Sequence, residues 1–240
     1  MRMPAPVLAN KEGNTPPSCL ARMWNSVSFQ IGQLVLQPHC PLCGPTWAAA
    51  KNEEVSPCRH CREQLALPSQ PLKGDAPVPW MAAGHYAGKL RTLILQLRRS
   101  GHEHQIRSLS HSLQHALPAQ AILIPIPSWK QANRANPLPE RIAKTLNRPR
   151  ASFLERSRAV VGQHRLHRRQ RWQNQWESFR YNETAAESFA IDWRQHQAWL
   201  VDDIITTGAT VMAAITTLAR AGISVRGTAC LGRTPMKHPL

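Results

Sequence analysis

The chain has 240 residues, enough for one good hydrophobic core and a small appended module, and its formal net charge is +16. No apolar run approaches the roughly 18 residues of a membrane-spanning helix, so the composition argues against an integral membrane protein. Residues 1–80 carry 7 Lys+Arg and 5 Asp+Glu, whereas residues 81–240 carry 23 and 9. This concentration of positive charge suggests a polyanionic partner, and a solvated basic surface is the alternative.

Residues 1–19 are predicted to be a disordered leader. They are rich in Pro, Asn, Lys, Glu and Gly and have no apolar core of signal-peptide length. We therefore expect a cytoplasmic protein with reduced cysteines. From Leu20 to Leu36 apolar residues recur at spacings of three and four, which indicates an amphipathic helix.

Two Cys-x-x-Cys pairs follow this helix, Cys40 with Cys43 and Cys58 with Cys61. Pairs separated by 14 residues predict one tetrahedral Zn²⁺ site, and four thiolates leave no open position for chemistry, so the zinc is expected to be structural. A disulfide interpretation conflicts with the cytoplasmic setting, and a redox pair would need only one of the two motifs. Residues 20–67 are thus predicted to form a helix followed by a zinc ribbon with four cysteine ligands.

Residues 68–80 contain four prolines and are predicted to be a linker without regular structure. The main domain is expected to span residues 81–240. Its first elements, by apolar periodicity, are a strand at 81–86, a helix from Leu90 that ends before Gly101, a helix at 103–117, a buried strand at 121–127 and a helix around 141–146.

A basic, tryptophan-containing segment runs from His164 to Trp176. Five of its residues are predicted to contact nucleic acid: Arg165, Arg168, Arg169, Arg171 and Trp172. Arginines interleaved with tryptophans can hold a sugar-phosphate backbone while the rings stack on bases. The alternative is a helix whose aromatic residues pack on the sheet while its arginines face water.

The most informative stretch is a strand, loop and helix at residues 200–218. Small and hydroxyl-bearing residues form the loop: Thr206, Thr207, Gly208, Ala209 and Thr210. The hydroxyl groups are donors, the small residues let the backbone approach an anion, and the amino end of a helix attracts phosphate. An ordinary Thr-capped helix is the alternative.

Two carboxylates, Asp202 and Asp203, precede the loop at the expected end of the strand. They would repel phosphate but can accept hydrogen bonds from a sugar diol and hold Mg²⁺ directly or through water. A phosphorylated ribose satisfies both the carboxylates and the loop.

The order of an apolar strand, Asp-Asp, two apolar residues and Thr-Thr-Gly-x-Thr resembles the phosphoribosyl pyrophosphate (PRPP) loop of type I phosphoribosyltransferases. The resemblance implies a mostly parallel α/β sheet with helices on both faces. It implies that Asp202 and Asp203, as the catalytic residues, meet the ribose 2′- and 3′-hydroxyls while residues 206–210 wrap the 5′-phosphate. It also makes Ser128, Lys130 and Arg134 candidates for binding pyrophosphate.

The whole arrangement, a cysteine ribbon before a basic phosphoribosyltransferase-like domain, resembles the bacterial ComF/GntX family. The markers are the two cysteine pairs, Tyr86 before a helix, residues 124–127, residues 163–179 and the loop at residues 202–210. The resemblance implies a role in natural competence or in the use of imported DNA, with single-stranded DNA and a competence helicase as partners. The chain departs from the family's Gly-Phe-Asn-Gln-like turn, where Asn136 is followed by Pro137.

Three functional interpretations follow. The protein is a DNA-handling protein that keeps a ribose-phosphate site without catalysis. Alternatively it is an active phosphoribosyltransferase, a glycosyltransferase of nucleotide metabolism, in which an unknown acceptor attacks C1′ of Mg²⁺-PRPP as pyrophosphate leaves. In the third, it is an adaptor whose zinc ribbon docks another uptake component.

Overall fold

The computed structural model describes residues 40–44, 56–128, 136–157 and 178–235. Several sequence predictions fall outside these ranges. They concern the leader, the helix predicted from Leu20, Lys130 and Arg134, and the segment that holds Arg165, Arg168, Arg169, Arg171 and Trp172.

The described part is a mixed α/β domain with a mostly parallel sheet. The strands are β1 (Leu72–Gly74), β2 (Trp80–His85), β3 (Ala121–Pro125), β4 (Leu154–Arg156), β5 (Phe179–Tyr181), β6 (Gln197–Ile205) and β7 (Val225–Arg233). The helices are α1 (Arg59–Gln64), α2 (Gly88–Ser100), α3 (Glu103–Ala116), α4 (Leu138–Thr145), α5 (Glu183–Glu187) and α6 (Ala209–Arg220), with a 3₁₀ turn at Trp193–Gln195.

Five strands form the main sheet in the order β1-β2-β7-β6-β3. Strands β2, β7, β6 and β3 run parallel, and of the strands described in this sheet only the edge strand β1 is antiparallel. Strands β4 and β5 form a separate antiparallel pair. Because the four parallel strands share one direction, their carboxyl ends meet at the same edge of the sheet, which is called the carboxyl edge below.

Both faces of the sheet are covered, as its near-continuous apolar strands predict. Neighbouring residues of β6 enter different cores: Val201 packs with α2, α3 and α4, whereas Leu200 packs with α6, β4 and β5. All five residues of β3 are buried. The described residues therefore form the expected α/β sheet with helices on both faces.

Helices α2 and α3, which help to cover one face, were predicted correctly from their periodicity, whereas α4 begins at Leu138, three residues before its predicted start. Leu90, Ile94 and Leu97 are buried on α2, which ends at Gly101 in a left-handed conformation with φ of 62°. The positive φ favours glycine here, and a Cβ atom at Gly101 would also displace the guanidinium of Arg141. The next helix, α3, begins at Glu103 as expected.

The prediction that residues 68–80 lack regular structure was wrong. Strand β1 lies within them and pairs with β2, with Leu72 opposite Ala82 and Gly74 opposite Trp80. The prolines flank β1, and an edge strand tolerates proline because one side of it needs no donors. The segment belongs to the domain, and its Pro77 packs against Gly208.

Strand β6 also runs further than the sequence suggested. It continues past Asp202 and Asp203 to Ile205, because Ile204 and Ile205 lie in register with Gly232 and Arg233 of β7. The carboxylates thus belong to the sheet itself. None of the helices in the four described ranges is long and apolar enough to cross a membrane.

Candidate functional site

Backbone hydrogen bonds tie the strand ends together at the carboxyl edge. The N–H of Tyr86, just after β2, donates to the Arg233 carbonyl at 2.8 Å, and the Thr234 N–H donates to the Ile205 carbonyl at 3.0 Å. On the other side the Ile126 N–H donates to the Val201 carbonyl at 2.8 Å. Segments distant in sequence are therefore fixed around the end of β6.

The threonine loop, residues 206–210, joins the carboxyl end of β6 to the amino end of α6. Thr206 and Thr207 are exposed, and Gly208 caps the helix in a left-handed conformation with φ of 81°. A Cβ atom at Gly208 would stand 2.5 Å from Cγ of Pro77, so the loop can lie against the 72–80 segment only with glycine here. The first turn of α6 has no acidic residue. The amino end of a helix that follows a parallel strand is a position at which anions can bind.

Asp203 is engaged inside the protein. Only 4% of the residue is exposed, and its Oδ2 accepts hydrogen bonds from Arg98 Nε and Asn136 Nδ2, both at 2.6 Å. Asn136 in turn accepts a hydrogen bond from the Leu138 N–H at 3.0 Å. Asp203 thereby links β6 to α2 and to the start of α4, and its contact with a ribose diol stays a prediction.

Asp202 is half-buried, and its Oδ1 accepts the N–H of Asp203 at 2.8 Å. Burial raises the pKa of Asp202 well above its ordinary value; the charge of Asp203 raises it further, whereas Arg98 opposes the change. A cation or several sugar hydroxyl groups at this carboxylate would favour its ionised form. Of the two predicted carboxylates, Asp202 is the one suited to meet a ligand or Mg²⁺.

Three arginines lie at this edge in addition to the predicted residues. Arg98 pairs with Asp203, Arg156 donates from Nε to the Pro127 carbonyl at 2.8 Å, and Arg233 donates from Nη1 to the Ile205 carbonyl at 3.1 Å. Burial lowers the pKa of Arg156, with the charge of Asp202 opposing. None of the three belongs to a sequence motif that marks a site.

Arg156 on β4 also contacts the ring of its cross-strand partner on β5. Its guanidinium lies 4.2 Å from the centre of the Phe179 ring, an arrangement in which the cation is attracted to the face of the ring.

Ser128, a predicted pyrophosphate ligand, lies just after β3, and its Oγ is buried with no hydrogen-bond partner among the described residues.

The four predicted zinc ligands come together as a second site. The sulfur atoms of Cys40, Cys43, Cys58 and Cys61 all lie within 4.8 Å of one another. Zn–S bonds of about 2.3 Å in a tetrahedron put sulfur atoms about 3.8 Å apart, and Cys43 Sγ and Cys58 Sγ are 3.7 Å apart. The donor set and its size fit a tetrahedral metal ion.

Backbone donors stabilise the same sulfur atoms. The Cys58 N–H points to Cys40 Sγ and the Cys61 N–H to Cys58 Sγ, each at 3.4 Å. The hydrogen bond from the Cys61 backbone lowers the pKa of Cys58 to about 7, against the opposing effect of burial. Deprotonated sulfur is the form that binds metal, so Cys58, the N-cap of α1, is favoured as a ligand, whereas the pKa values of Cys43 and Cys61 are raised.

A cavity of about 920 Å³ lies away from both sites, between β5, α5 and the carboxyl end of α6. Half-buried aromatic residues line part of it, namely Tyr181, Phe189 and Trp193. Its position at the far end of α6 from the threonine loop sets it apart from the predicted ribose-phosphate contacts.

Neither a protein-family model nor a curated protein sequence matches this chain. The fold and the two sites define the class: an α/β domain with a loop of threonine, glycine and alanine at the carboxyl edge of a mostly parallel sheet, together with a four-cysteine cluster that could hold a metal ion.

Proposed function

We propose that this chain is a phosphoribosyltransferase-like protein of the ComF type that binds PRPP or a similar ribose-phosphate ligand. One observation carries the proposal. The threonine loop lies at the carboxyl end of parallel strand β6 and at the amino end of α6, with Asp202 on the strand that leads into it. In open α/β sheets, ligands bind at this edge.

Each part of the ligand has a partner in this arrangement. Phosphate suits the backbone N–H groups at the start of α6, and the ribose hydroxyls or ligand-bound Mg²⁺ suit Asp202. Asp203 holds Arg98 and Asn136, so its role is to fix the geometry around Asp202. Mg²⁺ would supply charge neutralisation for the diphosphate of PRPP.

The DNA part of the proposal is supported by sequence. The net charge of +16, its concentration in residues 81–240 and the segment from Arg165 to Trp172 suit single-stranded DNA, and the family resemblance suggests DNA uptake or the use of imported DNA. A competence helicase is the proposed protein partner.

The four-cysteine cluster is proposed to hold a structural zinc ion as part of a zinc ribbon. Four thiolates fill a tetrahedral shell, which leaves no position for water or substrate. The metal would hold the turn at residues 40–44 against α1. Both elements are short.

The ribose-phosphate site is tested by isothermal titration with Mg²⁺-PRPP. We expect the unmodified protein to bind and Asp202→Asn to bind at least about tenfold more weakly, because hydrogen bonds to a charged group are lost. Asp192→Asn, which changes an exposed carboxylate outside the carboxyl edge, is the matched control and should bind normally. A folded protein that does not bind Mg²⁺-PRPP would remove the basis of the proposal.

Two additions to this titration separate PRPP binding from catalysis and test whether single-stranded DNA binds to the same surface. Release of pyrophosphate on adding a nucleobase or an amine would identify an active transferase, whereas PRPP binding without turnover fits the non-catalytic role. Competition between PRPP and single-stranded DNA would place both ligands on one surface.

Single-stranded DNA binding is tested by fluorescence anisotropy at several salt concentrations. Affinity should fall steeply with salt because phosphate charges are neutralised on binding. Replacing Arg168, Arg169 and Arg171 together with Ala should weaken binding. The control triple variant replaces the exposed Arg59, Arg194 and Arg220, which removes the same charge elsewhere. Equal affinities of the two triple variants would refute the assignment to the 165–172 segment.

A further inference from the structure

We infer that Arg233 is the positioning and specificity-determining residue of the threonine loop: a buried cation behind the loop that makes it select a phosphorylated pentose over the free sugar. This inference rests on the proposed ribose-phosphate site. It adds a residue from a different strand, β7, which none of the sequence motifs includes.

The guanidinium of Arg233 lies against the backbone where β6 becomes the loop. Its Nη1 donates to the Ile205 carbonyl at 3.1 Å and also to the Thr206 carbonyl. The Ile205 carbonyl accepts a second hydrogen bond from the Thr234 N–H at 3.0 Å. The carbonyl groups of Ile205 and Thr206 therefore both point toward β7.

Fixing these carbonyls fixes the N–H groups that follow them. In a trans peptide unit the N–H points opposite to the preceding C=O. With the Ile205 and Thr206 carbonyls directed at Arg233, the N–H groups of Thr206 and Thr207 are directed away from it. Neither N–H has a backbone acceptor within the described ranges. Arg233 thereby orients two donors outward from the loop.

The charge of Arg233 is buried and has no carboxylate partner among the described residues. Only 4% of the residue is exposed, no described Asp or Glu lies within ion-pair distance, and its Nε has no hydrogen-bond partner in the described part of the chain. A buried cation held only by neutral carbonyls and an aromatic ring is costly. An anion at the adjacent loop would compensate this charge, and in a low-dielectric setting the attraction is stronger than in water.

The surrounding residues keep the guanidinium in place. It lies 5.2 Å from the centre of the Trp80 ring, and Trp80 Nε1 donates to the Ala76 carbonyl at 3.1 Å. The same 76–80 turn places Pro77 against Gly208. Residues 76–80 therefore contact both the guanidinium of Arg233 and the threonine loop, and it is Arg233 that orients the loop backbone.

The experiment compares Arg233→Gln and Arg233→Lys with the unmodified protein in calorimetric titrations with ribose 5-phosphate, and in displacement titrations with ribose. Arg233→Gln should weaken ribose 5-phosphate binding by about tenfold or more, because a nearby charge is lost, and should leave ribose binding unchanged. Arg233→Lys, which keeps the charge, should recover most of the affinity. Arg180→Gln removes one exposed charge next to Glu155 and serves as the control for net charge.

Several results would overturn the inference. Unchanged ribose 5-phosphate affinity in Arg233→Gln would show that the cation does not act on the ligand. Equal loss of ribose and ribose 5-phosphate binding in both variants would mean that Arg233 only supports the local fold. If the unmodified protein binds neither ribose 5-phosphate nor PRPP, the proposed function itself fails, which is a different outcome.

A measurement on the unmodified protein covers the case in which Arg233→Gln does not fold. Amide hydrogen exchange with saturating ribose 5-phosphate should show added protection at Thr206 and Thr207, whose N–H groups then have an acceptor. Protection confined to other segments would contradict the orientation assigned to these donors.

Discussion

The four-cysteine cluster and the carboxyl edge are built in different ways. In the cluster, the hydrogen bond from Cys58 N–H to Cys40 Sγ joins residues 18 positions apart, and two short motifs supply every ligand. At the carboxyl edge, the ion pair between Arg98 and Asp203 joins residues 105 positions apart. The first site follows from spacing within one stretch of chain, whereas the second exists only once the sheet has formed.

The two sites are therefore vulnerable to different substitutions. The cysteine cluster depends on its ligands, so we expect single ligand substitutions to abolish it without altering the carboxyl edge. The carboxyl edge depends on contacts between elements, so we expect substitutions far from the threonine loop in sequence to alter it.

The largest effect is expected from Cys61→Ser. Loss of one of four thiolates should reduce the bound zinc from about one equivalent per chain to nearly none and unfold α1. Zinc is measured by elemental analysis of the purified protein. Cys230→Ala, which removes a buried thiol outside the cluster, should keep its zinc. Loss of PRPP binding together with zinc would contradict the independence of the two sites.

Arg98→Met should destabilise the domain by about 2–4 kcal/mol, because it leaves the Asp203 carboxylate buried without its cation. The side chain of Arg98 is 34% exposed and that of Asp203 is 5% exposed, so solvent reduces the effect but does not remove it. Urea unfolding gives the free energy of unfolding. Arg180→Gln breaks a more exposed pair with Glu155 and should cost below about 1 kcal/mol. If the two variants lose similar amounts of unfolding free energy, the burial of Asp203 does not increase the cost of removing its cation.

Gly208→Ala and Gly222→Ala form a matched pair, since both glycines have positive φ, 81° and 78°. A Cβ atom at Gly222 would meet nothing within 4 Å, and the substitution should cost about 1 kcal/mol through backbone strain alone. At Gly208 the clash with Pro77 should add about 1–2 kcal/mol and weaken PRPP binding. Equal unfolding free energies, measured in urea, would mean that the Pro77 contact does not constrain the loop.

The smallest effect is expected from Asp202→Asn, which should raise the unfolding temperature of the free protein, because a neutral amide replaces a carboxyl group whose ionised form is disfavoured by burial. The folded-state pKa of Asp202 is raised, so between its unfolded and folded values the folded protein retains a proton that the unfolded chain releases. The free energy of unfolding therefore falls as pH rises through that window.

Thermal unfolding at a series of pH values checks this result. The stability of Asp202→Asn should decline less with rising pH than that of the unmodified protein, while its PRPP affinity is lower. A variant that is less stable than the unmodified protein at neutral pH would show that Asp202 supports the fold instead of being held for a ligand.

Much of the fold was predictable because the signals were local. The buried positions Leu90, Ile94 and Leu97 follow helical spacing, and Gly101 ends their helix as expected. The edge strand β1 was missed because three residues between prolines give no usable periodicity. Its pairing with β2 stabilises a strand that its own sequence does not specify.

The four-cysteine cluster and the order of the threonine loop could be recognised from the chain alone, because their residues are neighbours and their spacing sets which atoms can meet. Which carboxylate is available, and which cations surround it, depends on tertiary packing. Asp202 and Asp203 are adjacent and chemically identical, yet Asp203 is buried against Arg98 while Asp202 is left half-buried without that partner. The positions of Arg98, Arg156 and Arg233 follow from the packing of α2, β4 and β7 around the end of β6, and no local pattern records that packing.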